Sequence, residues 1–144
     1  MKYRTKSDNQ FDCYTYLWGN VDGYYKNRHT DYVKYSDSTF SAIRYSKKHD
    51  HNKYWFSIKP TIIEDYKNIG IKSHIFGLVD VGSINLPADL LYDYIKTADN
   101  TVSGYQIRIK IRNSTNFHLF TSAYYDKNIT QYLKNFQSEF SEYC

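Results

Sequence analysis

Tyr105-Gln106-Ile107-Arg108-Ile109-Lys110-Ile111-Arg112 is the most regular stretch of this chain. Tyr105 and the three isoleucines alternate with Gln106, Arg108, Lys110 and Arg112, and a period of two is the mark of a strand with one buried and one wet face. Asp99, Asn100, Ser103 and Gly104 break the pattern before it. A turn at residues 113–116 and an apolar run at 117–121 follow it, so a hairpin is expected.

Moving outward, residues 39–45 and 54–59 are rich in β-branched and aromatic side chains and read as two strands joined by a long polar loop. Pro60 ends the second, and Ile62, Ile63, Tyr66 and Ile69 recur at helical spacing up to a Gly70 cap. Residues 74–81 form the next strand, with Gly77 as a bulge or a point of close approach. Gly82 and Ser83 turn the chain, residues 84–86 return, and Pro87 is expected at the first position of a helix carrying Leu90, Leu91, Tyr94 and Ile95. Ile129, Tyr132, Leu133, Phe136 and Phe140 fall on one stripe and predict a final helix.

The predicted order is β-β-α-β-β-α-β-β-α over residues 38–144. It follows an N-terminal extension, residues 1–37, with helical turns at 11–18 and 30–35. Short links favour antiparallel pairing. The expected class is α+β, mostly β: a curved sheet or open barrel with short helices at its edges, in one globular unit.

At 144 residues, with 41% hydrophobic and 24% charged, the chain has the composition of one ordinary domain able to bury a core. Its aromatic share is 19%, including 17 tyrosines, a residue that serves core rims and binding faces alike. An AT-rich coding sequence is the competing source of that bias. The formal charge of +4 is compatible with a polyanionic partner without requiring one. Cys13 and Cys144 are the only cysteines; so sparse a set suits a reducing compartment, although a bridge between them is also open. Residues 1–10 are polar, so no leader is read. No apolar run approaches the roughly twenty residues of a membrane span, and the cytoplasm is expected.

Two features carry the functional expectation. On the strand, Arg108, Lys110 and Arg112 form a basic row with a pitch of roughly 6.5–7 Å, comparable to that of phosphates along one nucleic-acid strand. A solvated or aggregation-resisting strand face is the alternative. The loop Arg44-Tyr45-Ser46-Lys47-Lys48-His49-Asp50-His51-Asn52-Lys53 holds four Lys or Arg, two His and only one acid, and Tyr45, Tyr54 and Trp55 flank it. Such a loop could enter a groove or clamp phosphates while an aromatic ring stacks on a base, or could be plain solvated hairpin. His49 and His51 lack the further ligands that zinc needs, so no metal is expected. The cysteines pair with no histidine motif, no carboxylate joins Lys110 on its strand, and no phosphate-cradling glycine motif is present. No catalytic residue is therefore assigned.

Taken in order, Lys53-Tyr-Trp-Phe-Ser-Ile-Lys, His74-Ile-Phe-Gly-Leu, Ile84-Asn-Leu-Pro-Ala-Asp-Leu-Leu, Gly104-Tyr-Gln-Ile-Arg-Ile-Lys-Ile and Ile129-Thr-Gln-Tyr-Leu resemble a known family. It is that of the pseudobarrel DNA-binding domains used as specificity modules by some bacterial restriction endonucleases, relatives of the plant B-three domain. The resemblance implies an open antiparallel pseudobarrel of about six to seven strands that grips double-stranded DNA with two arms. It places one arm at 44–53 and the other at 80–85 or 106–112. In such a system any nuclease activity is expected in another domain or subunit, and no small-molecule cofactor is expected. The family's late-strand Tyr-Trp-His is replaced here by Gly104-Tyr105-Gln106-Ile107. The start Tyr54-Trp55-Phe56 is similar to modified-base readers of the PUA and EVE type.

On these readings the DNA-binding residues are Arg44, Tyr45, Ser46, Lys47, Lys48, His49, His51, Lys53, Trp55, Arg108, Lys110 and Arg112. A protein-interaction module with a Tyr-rich face is the alternative from another class.

Overall fold

Ile107 and Ile109 are fully buried members of the main core. The computed structural model describes residues 14–15, 17–27, 30–49, 52–79, 81–121 and 125–135. In it Gly104–Arg112 is strand β8, with Ile107 and Ile109 completely buried and Arg108 and Lys110 on the opposite face. β8 pairs antiparallel with β4 (Lys53–Ile58) on one side and β9 (Asn116–Phe120) on the other. β10 (Asp126–Asn128) extends that sheet beyond β9, and the two-residue β7 (Asn100–Thr101) pairs with the start of β8.

The second sheet has the order β1-β2-β3-β5-β6-β11. Its strands are β1 (Val21–Asn27), β2 (Thr30–Tyr35), β3 (Phe40–Ser46), β5 (Ser73–Leu78), β6 (Gly82–Pro87) and β11 (Leu133–Asn135). Helices α1 (Pro60–Ile69) and α2 (Ala88–Ile95) add Ile62, Ile63, Tyr66, Leu91 and Tyr94 to the main core. The mostly β, α+β class is thus observed, in two sheets that do not close into a barrel.

The main core fills the gap. Phe56 of β4 meets Phe76 of β5 edge to face at 4.7 Å, and Ile58, Leu78, Ile84, Leu86, Ile107, Ile109 and Leu119 pack around them. Tyr94 of α2 is fully buried, and its hydroxyl enters the seam where β9 ends and β7 begins. It lies 2.7 Å from Phe120 O and 3.0 Å from Gln106 O, and accepts the Arg108 N–H at 3.3 Å. A backbone gap that would otherwise strand polar groups in the core is closed by one side chain. Burial pushes the Tyr94 phenol up to about 12, so the hydroxyl keeps its proton.

The other face of the six-stranded sheet carries a smaller core of Val33, Tyr35, Ile43 and Ile75 under Tyr14. Here Gly77 makes the close approach that its position in a strand suggested. A Cβ at Gly77 would lie 2.7–2.8 Å from the Tyr14 ring, which stacks on Tyr45 at 5.8 Å.

Several expectations are corrected. Eleven strands, some only two or three residues long, occur among the described residues in place of six or seven. Residues 30–35 form β2 rather than a helical turn, because Val33 and Tyr35 at spacing two bury against β3's neighbours while Tyr32 faces the other way. Residues 14–15 are helical and 17–18 form a turn, while the other half of the turn read at 11–18 lies outside the described residues. β3 and β5 pair in parallel, because β4 leaves for the other sheet and α1 brings the chain back in the same sense. Pro87 stands just before α2, as the extended end of β6, and not inside the helix.

The final helix is absent over 129–135. Asn128 Oδ1 accepts the Thr130 N–H at 3.0 Å and closes a 3₁₀ turn at Thr130–Tyr132. β11 then satisfies the free edge of β6, passing so close to Gly82 that a Cβ there would sit 2.0 Å from Lys134 O. Phe136 and Phe140 lie outside the described residues.

Gly77→Ala should lower the unfolding free energy by about 1–3 kcal/mol, the usual cost of overpacking a filled site. Urea titration measures it; an unchanged midpoint would show that Tyr14 moves away freely.

Candidate functional site

Cross-strand partners in an antiparallel sheet share a face, with Cβ atoms about 4.5–5.5 Å apart. The β4–β8 register sets Ser57 opposite Gln106, Trp55 opposite Arg108 and Lys53 opposite Lys110. The β8–β9 register adds Phe120 beside Arg108 and His118 beside Lys110, and β10 brings Asp126 next to Phe120. The outer face of the smaller sheet is therefore a basic and aromatic surface drawn from four strands.

Its centre is tightly built. Gln106 is buried, and its amide is fully used. Oε1 accepts the Trp55 indole N–H at 2.7 Å and the Ser57 hydroxyl at 3.2 Å, while Nε2 donates to Thr101 Oγ1 at 2.9 Å and Gly104 O at 3.0 Å. Trp55 is held in this way yet remains 44% exposed. The Arg108 guanidinium lies 4.8 Å from its ring centroid, a cation–π contact, and is steadied by Asp99 at 2.8 Å. His49 meets the Trp55 ring edge-on at 6.4 Å.

Beside this lies a concentration of positive charge. Lys53 and Lys110 oppose each other directly, and both ammonium groups approach the Phe120 ring, at 5.7 and 4.3 Å. Like charges placed opposite one another cost stability. Asp126 offsets part of this: its carboxylate takes Arg112 and Lys110, the latter at 3.9 Å, on Oδ2 and His118 Nδ1 at 2.7 Å on Oδ1. The small burial of Asp126 works against its charge, but the His118 and Arg112 contacts outweigh it and hold the carboxyl below the ordinary value.

The loop residues divide. Ile111 donates its N–H to Asn52 O at 2.9 Å, and His49 bridges back to Lys53, so the end of the loop is fastened to β8. Lys47 and Lys48 are exposed and, with Tyr54, Val79 and Val81, line a cleft of about 580 Å³. Ser46 ends β3 and its hydroxyl bonds the Lys47 carbonyl. His51 lies outside the described residues. Tyr45 lies on the far face of the six-stranded sheet against Tyr14.

Arg44 lies inside the gap instead, in register with Phe76 and beside Tyr66 and His74. Period two explains this, because Ala42 and Arg44 share the face of β3 that looks toward the main core. His74 is completely buried; desolvation, with the Arg44 charge acting the same way, pushes it down to about 3.

Sequence reasoning overlooked Gln106 as an anchor, Asp99 and Asp126 as counter-charges, and His118 and Phe120 as members of the face. The signal for the last two was the Asn116, His118, Phe120 alternation. Among the described residues no group of three or more His, Cys, Asp or Glu could hold a metal, and no helix is long and apolar enough to cross a membrane. No protein-family model, curated protein or solved structure matches this chain.

Two measurements check this account. Gln106→Leu should cost about 1–3 kcal/mol by orphaning the indole and hydroxyl donors. It should also shift the Trp55 indole signal in proton–nitrogen spectra while leaving that of Trp18 in place. For His74 the folded value is depressed, so the unfolded chain binds the proton first. Its contribution is complete above about pH 6.5 and is lost as pH falls toward 3, with a slope approaching about 1.4 kcal/mol per pH unit. Chemical denaturation across that range should show a flatter profile for His74→Gln than for the native chain.

Proposed function

We propose that this chain binds double-stranded DNA through the outer face of β4, β8 and β9 together with the loop at 47–53. In this reading it is a recognition domain of the kind that serves restriction systems, with any nuclease in another domain or subunit. The two sheets are then the halves of an open pseudobarrel, splayed where Lys47 and Lys48 emerge.

The observation that carries the reading is convergence. The basic loop and the basic strand row, more than fifty residues apart in sequence, meet where Lys53 stands opposite Lys110 and Asn52 bonds Ile111. A polyanion relieves the repulsion of that paired charge, and phosphate contacts of this sort supply most of the affinity of non-specific binding. Lys47, Lys48, Lys53 and Lys110 are the proposed phosphate contacts, with Arg108 holding Trp55 in place. Arg44 and Tyr45 have no part in this surface.

The anchored, half-exposed Trp55 also favours a second reading, in which the ring stacks on a modified base. Equal affinity for methylated and unmethylated versions of one duplex would eliminate it.

Three to five phosphate contacts give a log–log salt slope of about −3 to −4.5. Fluorescence anisotropy with a labelled duplex at several salt concentrations measures it. Lys47→Ala/Lys48→Ala should reduce the slope by about two and weaken binding across sequences. No binding at low salt, or binding indifferent to salt, would refute the proposal.

A further inference from the structure

Asp126 is placed where a ligand anion would be. Its two carboxylate oxygens are shared among Arg112, Lys110 and His118, which come from β8 and β9, while Asp126 itself lies on the three-residue edge strand β10. The cation set exists without it, because β8–β9 pairing aligns Lys110 with His118 and Arg112 with Asn116. A guanidinium fork, an ammonium and an imidazole N–H around one small anion are the donors that a phosphate takes, and a carboxylate is its nearest side-chain mimic.

The hold is a loose one. Asp126 and Arg112 are 41% and 45% exposed, and ion pairs this open are weak enough to exchange with a competing anion. Rotation of the Asp126 side chain is sufficient; β10 need not leave the sheet.

We propose that Arg112, His118 and Lys110 form a phosphate subsite that Asp126 occupies in the free protein and yields when a phosphate group binds. It rests on the DNA-binding reading for its natural ligand, a backbone phosphate, but the subsite itself is a property of these three cations. Asp126 then acts as an internal competitor that lowers affinity for any polyanion and sharpens dependence on a correctly placed phosphate.

The test uses the full chain with Asp126→Asn, which preserves shape and removes the competing charge. The variant should bind a labelled duplex about three- to tenfold more tightly at low salt. Arg112→Gln should weaken binding more in the Asp126→Asn background than in the native one, since in the native chain part of the loss is offset by the Arg112–Asp126 pair that no longer has to be broken. Unchanged or weaker binding by Asp126→Asn, or an equal Arg112→Gln loss in both backgrounds, overturns the subsite while leaving the DNA reading in place.

Titration with inorganic phosphate, followed through the His118 ring signals in NMR spectra, separates the two ideas. If neither protein binds DNA, the DNA reading fails, and the phosphate titration decides the subsite alone. Saturable shifts of His118, stronger in Asp126→Asn than in the native chain, support it. Shifts that never saturate, or that match in both proteins, overturn it.

Discussion

Burying Ile107 and Ile109 on β8 sets the position of almost everything else. A strand alternates its faces, so the step that sends those isoleucines into the core turns Gln106, Arg108, Lys110 and Arg112 outward. A slip of one residue would bury the cations, at a desolvation cost that no carboxylate in the core could offset. The register against β4 is therefore strongly determined, and with it the meeting of Trp55 with Arg108 and of Lys53 with Lys110. Tyr94 locks the same strand from inside by bonding the backbone at Gln106, Arg108 and Phe120.

Aromatic residues do different work in different places. In the core, Phe56 and Phe76 join the sheets, and Tyr66 and Tyr92 enclose the neutral His74. On the outer face of the smaller sheet, Trp55 and Phe120 lie under cations. The first use stabilises the fold by removing ring area from water; the second lowers the cost of assembling positive charge on one surface. Much of the high tyrosine content is accounted for by the interior, where four of the largest fully buried side chains are tyrosines. The exposed aromatic platform needs only Trp55 and its partners.

The surface balances preorganisation against neutralisation. Gln106 spends all its hydrogen-bonding capacity on holding Trp55 and the turn at Thr101 and Gly104. Asp99 and Asp126 each take up cations that would otherwise repel their neighbours. Lys47, Lys48 and Lys53 have no such counter-ion among the described residues. The result is a rigid centre flanked by exchangeable charge, an arrangement suited to a ligand that brings its own negative groups.

Local pattern alone determined the central strand, its hairpin partner and both helices, because each is written in residues next to one another in the chain. At Gly77 it left a bulge and a close approach both open, and the Tyr14 ring that decides between them comes from far away in sequence. It also singled out Lys53, Trp55, Arg108 and Lys110. It could not exclude Arg44, since a basic residue at the end of a strand looks the same whether its face turns toward solvent or toward α1. Nor could it tell the Ile129, Tyr132, Leu133 stripe from a turn and a short edge strand, because spacing over so few residues fits both. Which strand lies beside which, and so whether Asp126 meets Arg112 and His118 or the loop at 47–53 meets β8, depends on contacts between residues far apart in sequence. Only the folded chain, with its core filled and its sheet edges satisfied, decided that.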